Sequence, residues 1–335
     1  MTFATSRIAG LGVFLPENTR STAQTELDLR AANPGLRLAT GLIHRLTGVE
    51  RVHLRDDNWQ TSDLAVAASG IALAESPGDI DLVIFASASQ DLIEPATSHI
   101  VAAKLDLDCP VMDVKNACNS MLNGLQVADA LISSGQYGRV LVASGEAPTS
   151  GVRWSLKDHA QFIRSFPGYT MSDGGAAVVL EATDDSRTGI IDSRFHAVSK
   201  HWDIGTLPTG GSVNPRGGDD SFFDMDGAGL QAAFMELGPG PVIDLLERNG
   251  LDWDDFDLVA IHQVALPYLP PIFDRLGVAS DKSVIVVADH GNLASVALPL
   301  QLQLARDEGK VGPGSLVLFI GLAGGISLGL MVVRL

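Results

Sequence analysis

Short unbroken runs of Val, Ile, Leu and Phe recur along the chain, separated by longer stretches whose apolar residues return with a helical period. In the first half the runs lie in DIDLVIFASAS (79–89), VMDVKNAC (111–118), SGQYGRVLVASG (134–145) and MSDGGAAVVL (171–180). In the second half they lie in DFDLVAIHQVA (255–265), VIVVADHGN (284–292) and GPGSLVLFIG (312–321). Strands that read as continuous apolar runs are those covered by helices on both faces, so the pattern predicts an α/β fold. MLNGLQVADALISSG (121–135) and LASVALPLQLQLARDEG (293–309) read as helices that follow such strands. At the N-terminus, MTFATSRIAGLGVFLPENT has one Arg and an apolar run broken by Gly10, Gly12 and Pro16. It reads as a first strand and a turn, not as a signal peptide. SLVLFIGLAGGISLGLMVV (315–333) has 19 uncharged residues, near the length of a membrane span. Gly321, Gly324, Gly325 and Gly329 within its β-branched runs instead predict two buried strands joined by a tight turn.

The pattern repeats. Asp81 matches Asp257 at an offset of 176, and Cys118 matches Asn292 at an offset of 174. Similar segments in the same order at nearly constant spacing predict two copies of one α/β unit, spanning 1–180 and 181–335. Residues 186–223, rich in Gly, Ser, Asp and Pro, read as a strand followed by a long irregular loop. The duplication puts Cys118 and Asn292 at equivalent helix starts. His262 ends a strand where the first copy has Ala86. Packed about a pseudo-twofold axis, these ends converge.

Composition narrows the function. The chain has 335 residues, enough for a large core, and a formal charge of −17 from 23 Lys and Arg against 40 Asp and Glu. That acidic surface argues against a nucleic-acid partner and against anionic membranes. Two cysteines make no disulfide framework and fit a reducing, cytoplasmic setting.

Cys118 opens a helix, where free N–H groups and the helix dipole favour an anion. The expected consequence is a lowered thiol pKa and a nucleophilic thiolate. The competing reading is an inert, buried small hydrophobe. Cys109, before a Pro at a strand entrance, reads as packing. His262 has a competing role as a satisfied core histidine, and Asn292 as a helix N-cap. His290 flanks Asn292. His196 and His201 have no neighbouring Cys or carboxylate pattern, so no metal site is expected. The Gly turn of GLAGGISLG (321–329) lacks the phosphate-loop arrangement, but its N–H groups suit an oxyanion.

Taken in order, these segments resemble the β-ketoacyl synthase III branch of the thiolase superfamily. LTGVERVHL (46–54) is similar to the family's early TGI-R-R segment, and DVKNACNSMLNGL to its nucleophile strand, Cys and helix. SDGGAAVVL is similar to its GDGAGAxVL turn, IHQ to its His motif, DHGNLASVALPL to its GNTSAASxP motif, and GLAGGISLG to its C-terminal glycines. The resemblance implies a thiolase fold: two pseudo-symmetric halves in α-β-α-β-α layers, forming a homodimer. It implies a catalytic triad of Cys118, His262 and Asn292, with the backbone N–H groups of Cys118 and Gly324 as oxyanion hole. Cys118 would take an acyl group from a coenzyme A or acyl-carrier thioester. His262 and Asn292 would stabilise the enolate left when a malonyl thioester loses CO₂. No metal or redox cofactor is implied, and acyl carrier protein is the implied partner.

Several positions depart from the family pattern. The Trp that stacks on coenzyme A adenine falls at Leu42, and the Arg of the His motif falls at Pro267. Leu293 follows the Asn, Leu322 stands before the C-terminal glycines, and Glu94 takes the place of a Phe that reaches across the dimer; with Leu42 these three are the resemblance's candidates for the substrate pocket. These changes argue for a specialised polyketide, lipid or secondary-metabolite role over the housekeeping one. Arg153 and Arg164, in an irregular stretch (148–170) expected at the pocket mouth, are candidate contacts. With Arg139, Arg216 and Arg275 they are the candidates for a basic patch that would dock a carrier protein. Condensation is the reading favoured by Asn292, since an Asp there would suit a basic His. The alternatives are ester- or amide-forming acyl transfer without condensation and a non-catalytic partner subunit. Thiolase-type degradation lacks its second Cys.

Overall fold

The computed structural model describes residues 5–185, 187–218 and 221–335. In chain order its strands are β1 (Thr5–Phe14), β2 (Thr19–Ser21), β3 (Arg51–His53), β4 (Leu82–Ala86), β5 (Val111–Val114), β6 (Arg139–Glu146), β7 (Gly174–Thr183), β8 (Gly189–Ala197), β9 (Gly205–Thr206), β10 (Asp224–Met225), β11 (Leu258–Ile261), β12 (Leu316–Ala323) and β13 (Ser327–Arg334). Two sheets dominate, with orders β1-β7-β6-β4-β5 and β11-β12-β13-β8. Read from β1 and from β8, the pairing senses match. The first two pairs are antiparallel (β1–β7–β6 and β8–β13–β12), and the next is parallel (β6–β4 and β12–β11).

The layers follow from which face each residue presents. Leu82, Ile84 and Ala86 of β4 point into one core, and Val83 and Phe85 into another. In the second sheet, Leu258, Ala260, Val317 and Phe319 share the core of Leu82 and Ile84, while Val259, Ile261, Leu318 and Ile320 face a third. Side chains alternate across a strand, so each sheet is apolar on both faces, and that is why its sequence reads as an unbroken run. The shared core holds Met121, Leu122 and Leu125 of the helix Ser120–Ser133 and Leu298, Leu300 and Leu302 of the helix Ala297–Asp307. These two helices form the middle of five layers. The helix Thr61–Glu75 covers the outside of the first sheet, seated on glycines. A β-carbon at Gly145 would lie 1.8 Å from the Thr61 carbonyl oxygen, and one at Gly175 would lie 2.1 Å from that of Leu64.

The duplication is incomplete in one place. The partner of β5, expected at 284–287, is not a strand: the chain there runs irregularly into a short helix, Val287–His290. Side chains take over the bonds of the missing neighbour. The Ser283 hydroxyl donates to the Val259 carbonyl and Lys282 Nζ to that of Phe256. The segment 315–333 forms the β12–β13 hairpin, and no helix among the described residues is long and apolar enough to cross a membrane. The strand expected at the start of 186–223 is β8, the loop expected after it includes β9 and a 3-10 turn at Ser199–His201, and Ser186, Asp219 and Asp220 lie outside the described residues. The stretch 148–170 is likewise more regular than expected, with 3-10 turns at Pro148–Gly151 and Phe166–Thr170 around the helix His159–Ser165.

Candidate active site

The candidate side chains gather at the carboxyl ends of parallel strands, where α/β sheets collect ligands. Cys118 follows β5, Glu146 ends β6 and His262 follows β11. Ala117, just before the cysteine, holds φ at +45°, a region that a β-carbon disfavours. Ser120 holds this turn, its amide and hydroxyl both donating to the Ala117 carbonyl at 3.0 and 2.7 Å. The helix starts only at Ser120, with Asn119 as N-cap, so Cys118 lies upstream of the helix end. The expected lowering of the thiol pKa is therefore overturned. Part of Cys118 is open to solvent, yet burial pushes its thiol up to about 12, and a charge on Glu146 would act in the same direction.

Side-chain ties draw the segments together. Ser295 Oγ lies 3.2 Å from the Ala117 carbonyl oxygen and 2.7 Å from Glu146 Oε1, joining the cysteine turn to the asparagine turn. Gln301 accepts from the Ile261 amide at 3.2 Å and donates to its carbonyl at 2.9 Å, tying the end of β11 to the helix that follows Asn292. Gln263 donates to the Val284 carbonyl at 2.8 Å and accepts from the amides of Val286 and Val287. It thus pins the approach to Asn292 beside the chain that carries His262.

Asn292 is held on its backbone by the Thr170 carbonyl and the Ser172 amide, and its Oδ1 accepts from the Ala294 amide at 3.0 Å. That bond turns the amide so that Nδ2 is the group free to donate outward. Asn292 is not a helix N-cap, because the helix begins at Ala297 with Val296 as cap. His262 is 3% exposed, its amide donates to the Ile320 carbonyl, and neither ring nitrogen has a partner. Burial pulls its pKa down to about 4, so the ring is neutral near pH 7. A buried imidazole with no partner in its own chain is costly, and takes one from outside it, an ordered water or a substrate. Asn119 links the remaining element. Its Nδ2 donates to Ser327 Oγ at 2.9 Å and to the Ser327 carbonyl at 3.1 Å, gripping the β12–β13 turn that carries Gly324.

Two family models match the chain: 3-oxoacyl-[acyl-carrier-protein] synthase III over residues 112–199, and its C-terminal domain over 246–335. The β-ketoacyl-[acyl-carrier-protein] synthase III of Nitratidesulfovibrio vulgaris is 31% identical over 340 residues, covering 98% of both chains. That of Rhodospirillum rubrum is 31% identical over 339 residues, covering 98% of this chain and 99% of its own. The chain belongs to the β-ketoacyl-[acyl-carrier-protein] synthase III family. Its fold matches the thiolase-fold structures of FabH from Pseudomonas aeruginosa (TM-score 0.86, 24% identity, 98% of each chain) and of Xanthomonas campestris OleA with bound lauric acid and lauroyl-CoA (TM-score 0.89, 22% identity, 99% of this chain and 100% of that one). Membership makes it a condensing acyltransferase of the thiolase superfamily.

The synthase III chain places its other candidate residues unevenly. Leu42 is half-buried in a cluster with Ile43, Val152, Phe162 and Tyr169, and Trp154 packs against the same cluster beneath the Arg20 guanidinium. Leu322 is partly buried against the outer core of the second sheet. Leu293 is a correction: it is fully buried in the middle core and lines no open surface. Glu94 is exposed on a loop with Leu92 and Ile93. Arg153 stacks over Phe222, and Arg164 pairs with Asp224. Arg139 pairs with Glu181 at the start of β6, about 23 Å from the site end of that strand at roughly 3.3 Å per residue. Arg275 donates to the Met235 carbonyl, and Arg216 is exposed. Cys109 packs partly into the outer core of the first sheet. His290 stacks on His53 with 2.9 Å between ring nitrogens, and His201 pairs with Glu236.

Glu146, Ser295, Asn119, Gln263 and Gln301 escaped the sequence reading. Their signal was a polar residue at the end of an apolar strand or inside an apolar helix. For Asn119 the fit is testable. A β-carbon at Gly321 would lie 2.0 Å from Asn119 Oδ1. Gly321→Ala should expel that side chain and break its bonds to Ser327, costing about 3 kcal/mol from overpacking and lost buried hydrogen bonds. Urea denaturation reads this directly, and unchanged stability would mean that Asn119 is not seated between the two glycine-bearing strands.

Proposed function

We propose that this synthase III chain loads an acyl group onto Cys118 and condenses it with a malonyl thioester. In this reading the N-terminal half (1–180) supplies the nucleophile and the C-terminal half (181–335) supplies His262 and Asn292. The supporting observation is the buried neutral imidazole of His262, free at both ring nitrogens, on a segment tied to an Asn whose amide N–H group is turned outward. With the thiol pKa near 12, a standing thiolate is scarce at pH 7. Cys118 therefore gives its proton to His262 as sulfur attacks the donor thioester, and the carrier thiol leaves with a proton. The backbone N–H groups of Cys118 and Gly324 hold the oxyanion of that step.

The malonyl thioester then loses CO₂. His262, neutral again, and Asn292 donate to the enolate oxygen, the enolate carbon attacks the acyl group, and Cys118 leaves as a thiolate that takes a proton from water. Neutral donors suit this step. A His acting as the standing base for O- or N-acyl transfer would want a carboxylate on its second nitrogen, and His262 has no such partner. Leu42 and Leu322 remain the pocket candidates, with Arg153 and Arg164 at the mouth. The donor is an acyl-CoA or acyl-carrier thioester. OleA of Xanthomonas campestris, which has this fold, is described with lauroyl-CoA bound. A homodimer belongs to the same reading, since exposed Leu92 and Ile93 beside Glu94 are what a second copy would cover.

The test is product analysis. Protein pre-loaded from a panel of acyl-CoA and acyl-carrier thioesters is mixed with malonyl carrier. A β-ketoacyl product and one CO₂ per turnover are expected. A malonyl adduct that persists on Cys118 without losing CO₂ would favour direct acyl transfer.

A further inference from the structure

Glu146 is fully buried, and its contacts leave one proton to be accounted for. Oε1 accepts from the Ala88 amide at 3.0 Å and lies 2.7 Å from Ser295 Oγ, and Oε2 lies 3.1 Å from Ser89 Oγ. The Ser295 hydroxyl also contacts the Ala117 carbonyl oxygen at 3.2 Å. A hydroxyl has one proton to give, and a carbonyl can only accept. Ser295 satisfies both neighbours if its own proton goes to Ala117 and a proton on Glu146 comes to it. Among the described residues no Lys or Arg is paired with this carboxyl; the groups that bind it are the Ala88 amide and the serine hydroxyls, and the titratable group acting across the site is Cys118.

We propose that Glu146 is a neutral positioning residue that, through Ser295, fixes the Ala117 carbonyl and so the strained turn presenting Cys118. The chain Glu146–Ser295–Ala117 joins the end of β6, the Asn292 turn and the nucleophile turn. The left-handed backbone at Ala117 persists because its carbonyl is held by Ser120 on one side and by Ser295 on the other. Keeping Glu146 uncharged also spares the forming thiolate a buried neighbour of like sign. This role rests on Cys118 being the nucleophile.

Alkylation of Cys118 by iodoacetamide tests it without any acyl donor, so its outcome is separable from the fate of the acyl-transfer reading. The pH midpoint of alkylation is compared between wild type and Glu146→Gln, with adducts at Cys109 separated by peptide mass. A midpoint unchanged within about half a unit is expected, since a neutral group replaces a neutral group. A fall of one unit or more in Glu146→Gln would mean that Glu146 is a carboxylate, and would overturn the proposal. Ser295→Ala, which removes the link while leaving Glu146 in place, should slow acyl loading of Cys118 about tenfold or more without moving the alkylation midpoint. Loading at the wild-type rate would overturn the positioning role.

Discussion

Cys118→Ala should abolish acyl-enzyme formation. Intact mass after incubation with a reactive acyl-CoA or acyl-carrier thioester should show one added acyl group on the wild type and none on the variant. Turnover to β-ketoacyl product should fall by at least about three orders of magnitude, as expected when a covalent nucleophile is removed. The reason is local. Cys118 stands on a turn held at φ +45° by bonds to its preceding carbonyl, at the carboxyl end of β5, and the other cysteine, Cys109, packs at the entrance to that same strand. An alanine fits the turn without new strain, so the fold should survive and the loss should be chemical. A variant that still acquires one acyl group would put the nucleophile elsewhere.

His262→Ala should lower β-ketoacyl formation by about 10²–10³, the effect of removing one donor to a developing oxyanion. It should also carry a pH signature in stability. The folded His262 has a pKa of about 4, against about 6.5 in an unfolded chain. Between those values the unfolded state binds the extra proton, so the wild type loses stability as pH falls. A group depressed by that much contributes about 3 kcal/mol of loss between pH 7 and pH 4. The stability of wild type relative to His262→Ala should therefore fall by about 3 kcal/mol over that range, read by urea denaturation at each pH. Taking the difference cancels the other buried groups, among them His53 and His290, whose pKa values are also lowered, and Glu146, Asp129 and Asp173, whose values are raised. A difference that does not change with pH would mean that the imidazole is solvated or paired.

The α/β fold and the duplicated strand order could be read from the chain because they rest on local pattern. A strand covered on both faces must be apolar at every position, as in Leu82–Ala86 and Leu258–Ile261, and that constraint shows without coordinates. The family likewise follows from short segments kept in order. What lay beyond the sequence was anything that depends on contacts between distant segments. The pattern VIVV at 284–287 reads as a strand, but Gln263, Ser283 and Lys282 satisfy the backbone that a strand would have paired. Leu293 reads as a pocket wall and is core, because the side of the turn it occupies is set by packing against the helix from Ser120. The thiol of Cys118 reads as activated by a helix end. Its pKa is instead raised by burial among segments distant in sequence, such as the end of β6 with Glu146, 28 residues away. Charge and desolvation depend on distance in space, and only the packed layers of the tertiary structure supply that distance.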